Sequence, residues 1–180
     1  IQHIFTVRWN PGKDLLAVAV SWLLVTGALY TATVIIGSSV WGGFAYFLLY
    51  ALLCATIFGV GFPLYWTVTK RKRSIADLGL TTQRLIPSLA LQAVFSVLLY
   101  SVTLARVQLP SANELIPLIG LALAIGFFEA IFWRGWVLLR LEDAFGIIPA
   151  ILLGSALYAV YHIGYAMPAS EITFLFFIGI

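Results

Sequence analysis

Residues 114–141 read ELIPLIGLALAIGFFEAIFWRGWVLLRL. The run exceeds the roughly 20 apolar residues that cross the hydrocarbon layer of a bilayer as a helix. Glu114 and Arg140 lie near its ends, and two further charges, Glu129 and Arg134, stand well inside it among Gly, Phe, Ala, Ile and Trp. A charged side chain in a membrane span costs at least about 2.5–3.5 kcal/mol on insertion scales. It persists with a partner, a water-filled cavity or a task.

The whole chain has this character. Apolar residues make up 62% of the 180, and charged residues 9%, against about 25% charged in a soluble domain. Apolar segments run over about 14–36, 43–69, 85–106, 114–141 and 147–165, and a sixth begins near Glu171. The expected fold is all-α, a polytopic transmembrane helix bundle of five full spans and the start of a sixth. One membrane domain covers 1–180, with its motif core at 114–165. The chain starts at Ile1 and stops at Ile180 within an apolar run, so it reads as a fragment of a longer domain.

Loop charge gives the orientation. Lys70, Arg71, Lys72, Arg73 and Arg84 flank one connection, so the loop 70–84 is expected on the cytoplasmic side. A net charge of +3 on a soluble domain would raise nucleic acid as a partner. Here the basic run follows directly on a span and reads as a topology anchor, with no nucleic-acid partner. Cys54, the one cysteine, excludes an internal disulfide and gives no support to a cysteine metal site. The expected location is a multi-pass position in a prokaryotic plasma membrane, with lipid as the surrounding partner.

Glu129 lies about halfway along its span. It reads as a carboxylate kept inside the bundle for acid–base work, with Arg134 as its supporting charge or as a residue snorkelling to the headgroups. In LYAVYHIGY, 157–165, His162 follows Tyr158 by four residues, which puts both on one helix face. The short turn at 142–146, with Pro149 just after it, makes the fourth and fifth spans antiparallel neighbours. At 1.5 Å per residue Glu129 is ~18 Å into its helix from that turn and His162 ~22 Å into its own. A carboxylate and an imidazole at one depth can bind a metal or share a water and deliver it to a carbonyl. His162 and Glu129 are the candidate metal ligands. Trp133 and Trp136 flank Arg134 and read as packing or interface residues, with cation–π contact or gating of substrate as the functional alternative.

The segment FEAIFWRGWVLLRLEDAFGIIPAILLGSALYAVYHIGY, 128–165, resembles the CPBP family of CAAX-protease and bacteriocin-processing membrane proteins. This is the former Abi family, which includes the type II CAAX prenyl endopeptidases. Its first motif has two glutamates, three variable residues and an arginine. Glu129 stands at the first glutamate, Ala130 at the second, Arg134 at the arginine, and Gly135 follows. Its second motif has Phe, three variable residues and His, where this chain has Tyr158 and His162. ADLGL, 76–80, after the basic loop is also similar. The resemblance implies an intramembrane metalloprotease of the CAAX type, acting on a membrane-associated and, in one branch, prenylated protein or peptide. It implies catalysis by Glu129, His162 and Arg134, with Tyr158 and Trp133 lining the site. Zinc or another divalent metal is the implied cofactor, incomplete in this fragment, because the family's later histidine belongs on spans beyond Ile180.

Two other readings stay open. Ala130 at a glutamate position fits a catalytically inactive membrane protein on the same fold, serving bacteriocin immunity, maturation or protein interaction. A proton pathway through Glu129 would need polar residues in the first three spans, where none is expected to line a path.

Overall fold

The computed structural model describes residues 5–36, 45–46, 48–105 and 111–178. Six helices follow one another among these residues. They are α1 (Lys13–Ile36) and α2 (Leu48–Lys70), α3 (Leu85–Leu104), α4, α5 (Ile147–Tyr165) and α6 (Ala169–Ile178). No strand occurs among the described residues. The all-α bundle expected from the apolar segments is what the chain forms. In lipid only internal hydrogen bonding satisfies the backbone, and a helix supplies it within one segment.

Helix α4 is one continuous rod made of Ala112–Glu129, Ala130–Leu138 and Leu139–Phe145. It outruns the expected span at both ends, and the expected loop at 142–146 shrinks to Gly146, at φ 90°. That left-handed φ suits glycine. The site is also crowded, because a Cβ on Gly146 would strike the Thr6 carbonyl oxygen. The amino-terminal arm docks there through Arg8 N–H to the Phe145 carbonyl and Asn10 N–H to the Ala144 carbonyl, both at 2.9 Å. The expected start of the second span and the loop at 37–42 fall at or next to residues outside the described ones, as does 107–110.

The core sits where α1, α2, α4 and α5 meet. Val25 and Leu29 of α1, Cys54 of α2, Phe132, Trp133 and Trp136 of α4 and Tyr161 of α5 are all buried there. Small residues let the backbones approach, as expected where lipid removes the hydrophobic drive between helices. A Cβ on Gly59 of α2 would strike the Phe128 ring of α4. A Cβ on Gly135 of α4 would strike the carbonyl of Leu78, which ends the short turn Ile75–Leu78. Thus ADLGL and the Gly135 motif, far apart in sequence, touch in the fold. Polar ties cross the same core. Trp136 Nε1–H donates to Ser21 Oγ at 2.9 Å, and Trp22 Nε1–H to the Leu157 carbonyl at 3.1 Å.

Helix α3 is different. Every described side chain from Leu85 to Leu98 is exposed. An apolar helix with its whole surface open is covered by lipid or by further protein.

Candidate active site

The site grows from α4. After Glu129 the hydrogen bonding of that helix widens from α to π spacing, N–H to the carbonyl five residues back, and stays so from Ala130 to Leu138. The same π winding occurs at Thr31–Ile36, Leu48–Gly61 and Tyr65–Lys70, so here it matters for the facing of side chains rather than as a mark of a site. The change has a geometric consequence. At 3.6 residues per turn, positions five apart diverge by about 140° around the helix. Under π spacing they stand one turn apart, so Glu129 and Arg134 come towards one side. The Arg134 guanidinium accordingly acts electrostatically on the Glu129 carboxyl.

Their burial differs. Glu129 is half-buried, whereas Arg134 is exposed. No ion pair within 4 Å joins them among the described residues. Arg134 is placed as a charge at the rim of the site.

Helix α5 supplies the imidazole. His162 opens the tight last turn His162–Tyr165 and is 6% exposed. Its Nδ1 lies 2.8 Å from the Tyr158 carbonyl oxygen. A carbonyl only accepts, so Nδ1–H donates and Nε2 keeps its lone pair. The ring is walled by Tyr158, Tyr161 and Tyr165, with centroids at 4.7, 5.1 and 5.5 Å. Trp133 of α4 stands edge-on to Tyr158 and Tyr161, each at 5.3 Å, and so locks the two helices at this level. Glu129 acts electrostatically on Tyr158, Tyr50 and Tyr165. Two of the three tyrosines that wall the imidazole, Tyr158 and Tyr165, thus also feel the Glu129 charge.

The two tryptophans are placed in the core rather than at a membrane interface, at 1% exposure for Trp133 and 0% for Trp136. The Trp136 ring takes its cation–π contact from Arg140, at 5.4 Å.

Sequence reading missed the phenols. Tyr50 Oη and Tyr161 Oη each lie 3.1 Å from Tyr165 Oη. Tyr161 is fully buried, and Tyr165 is its acceptor among the described residues. Tyr161 therefore donates to Tyr165. With two contacts among three hydroxyls, one phenolic hydrogen remains, on Tyr50 or Tyr165. Both of these line a cavity of about 530 Å³ between α2 and α4, walled by Tyr46, Ala55, Val60 and Phe128. Phe128 is the residue before Glu129. The sequence signal was Tyr50 itself, a hydroxyl near the start of the second apolar segment. Ser21 and Thr67 are also buried in the first two spans, and neither lines this cavity.

His162 offers Nε2 to a metal and Glu129 offers its carboxyl. A catalytic zinc usually takes three protein ligands, and no group of three His, Cys, Asp or Glu converges among the described residues. The described donors supply two candidates for these ligands, His162 and Glu129.

No curated protein and no solved structure matches the chain. A family model does, described as type II CAAX prenyl endopeptidase Rce1-like, over residues 111–180. The match bears out the resemblance read from the two motifs. Over residues 111–180, the segment that carries Glu129, Arg134, Tyr158 and His162, the chain matches the Rce1-like type II CAAX prenyl endopeptidase family.

Proposed function

We propose that this protein is an intramembrane endopeptidase that hydrolyses a peptide bond in a membrane-associated, prenylated CAAX-type protein or peptide. The family match supports a CAAX-type protease. The observation that carries the reading to named residues is that Tyr158 and Tyr165, which wall His162, also feel the Glu129 charge. Glu129 acts on Tyr158, and His162 hydrogen-bonds the Tyr158 carbonyl with its far nitrogen open.

In this reading Glu129 takes a proton from water as the oxygen attacks the scissile carbonyl, and hands that proton to the departing amine. His162 Nε2 accepts a hydrogen bond from the same water and fixes its position. The free phenolic hydrogen of the Tyr50–Tyr165 pair points to the developing oxyanion, where a preorganised donor is most effective. The apolar cavity beside Phe128 holds the substrate's hydrocarbon part. Arg134 at the rim supplies a positive charge that acts on the Glu129 carboxyl.

Incubating the full-length protein with a farnesylated CAAX peptide and weighing the products tests this. Release of the last three residues as one tripeptide is expected, with the His162→Ala variant inactive. An intact peptide after long incubation with folded protein contradicts it. That result favours the inactive reading, for which Ala130 at a glutamate position is the motive.

A further inference from the structure

A second cavity, this one polar, lies at one end of the bundle, roughly 15 Å along α4 from Glu129. It is about 380 Å³ and is lined by Asn10, Asp14, Arg71, Arg73, Arg140 and Asp143, among others. It lies where α1 enters and α2 and α4 leave the bundle.

The guanidinium of Arg140 is the anomaly. Its side chain is 4% exposed, yet Nε and Nη2 have no hydrogen-bond partner. Nη1 reaches only the Asp143 carboxylate, at 3.6 Å. A buried guanidinium with donor edges unmatched is a costly arrangement. The neighbouring carboxylates do not relieve it. Asp14 is committed at 2.6 Å to Arg71 and at 2.7 Å to Trp66 Nε1–H. Asp143 is 63% exposed and held loosely, with Arg73 Nη1 at 3.9 Å. The lining carries three arginines against two aspartates. The amino terminus of α1 adds to the field, because Gly12 precedes it and no side chain caps it.

A neighbouring feature indicates what the anion is attached to. Leu15 lines this cavity and also an apolar groove of about 250 Å³ between α1, α4 and α5, walled by Val18, Trp22, Leu141 and Leu157. A charged pocket that continues into an apolar groove has the shape of a headgroup followed by an acyl chain.

We propose that the cavity binds the phosphate monoester of an anionic phospholipid, with one acyl chain along the Leu15 groove. Arg140 and Arg73 hold the phosphate oxygens through paired N–H donors, the geometry guanidinium groups favour. Asp143 swings outward to admit it. This site is separate from the Glu129 site and does not depend on the peptidase reading.

Thermal unfolding of the full-length protein in detergent tests it, with dihexanoyl phosphatidic acid, dihexanoyl phosphatidylcholine and inorganic phosphate as probes. Phosphatidic acid is expected to raise Tm saturably, as a ligand of the folded state does, and phosphatidylcholine is not. Arg73→Gln and Arg140→Gln are each expected to weaken the apparent affinity about tenfold or more. Lys72→Gln, which removes a charge outside the lining, leaves it unchanged. If Arg140→Gln fails to fold, Arg73→Gln decides alone. Phosphatidic acid binding at least about tenfold tighter than inorganic phosphate assigns the anion to a lipid. Equal affinity keeps the phosphate site and overturns the acyl groove. A response that is absent, equal with phosphatidylcholine, undiminished in Arg73→Gln or equally lost in Lys72→Gln overturns the site.

Discussion

His162 and Tyr158 are joined by a 2.8 Å hydrogen bond from the ring Nδ1–H to the backbone carbonyl four residues earlier. The bond closes one turn of α5 and fixes the imidazole tautomer. It also explains how Tyr can stand where the resembling family has Phe, since the backbone of residue 158 does the orienting. The side chain adds a ring wall at 4.7 Å.

Tyr158→Phe is therefore expected to keep most of the peptidase activity, within a few-fold, because carbonyl and ring wall remain. Tyr158→Ala removes the wall that Trp133 and His162 both touch, and is expected to lower kcat by ~10²-fold through loss of positioning. Cleavage kinetics of the two variants check this; equal losses would show that the phenol oxygen itself matters.

Tyr50 and Tyr165 both line the cavity, and one of them keeps the free phenolic hydrogen. Tyr50→Phe is expected to lower kcat by ~10²-fold with KM little changed, the pattern of a donor used in the transition state. Tyr161→Phe removes only the buried end of the chain. It is expected to cost about 0.5–1.5 kcal/mol of stability and less activity than Tyr50→Phe. Steady-state kinetics and unfolding in detergent separate the two effects.

Gly135 packs against the Leu78 carbonyl, which a Cβ would strike. Gly135→Ala is expected to destabilise the protein by about 1–3 kcal/mol, because the neighbour is backbone and cannot turn aside. Gly27→Ala in α1 meets nothing within 4 Å, and is expected to be neutral or slightly stabilising. Equal melting temperatures for both variants would contradict this packing.

Much of this fold was legible in the sequence because membrane spans announce themselves by length. The pairing of α4 with α5 followed from the short connection at Gly146. Other features were hidden for physical reasons. Lipid and core are both apolar, so a span shows no polar stripe to tell which face turns inward. That is why the burial of Trp133 and Trp136, and the exposure of α3, could not be read. Which of Arg134 and Arg140 is buried could not be read either, because facing depends on helix winding. The π segment after Glu129 is not encoded in any residue type, and it leaves Arg134 at the rim while Arg140 is buried. Tyr50 was overlooked because charge, not hydroxyl, was the marker used for intramembrane function.

The central claim is that Glu129 activates a water positioned by His162. Its most direct test is the cleavage rate of the Glu129→Gln variant of the full-length protein on a farnesylated CAAX peptide, with folding verified by an unchanged melting profile. The substitution keeps size and polarity and removes only the ability to take a proton. The account predicts a fall in kcat of ~10²–10⁴-fold. A folded Glu129→Gln protein that cleaves at the wild-type rate would contradict it.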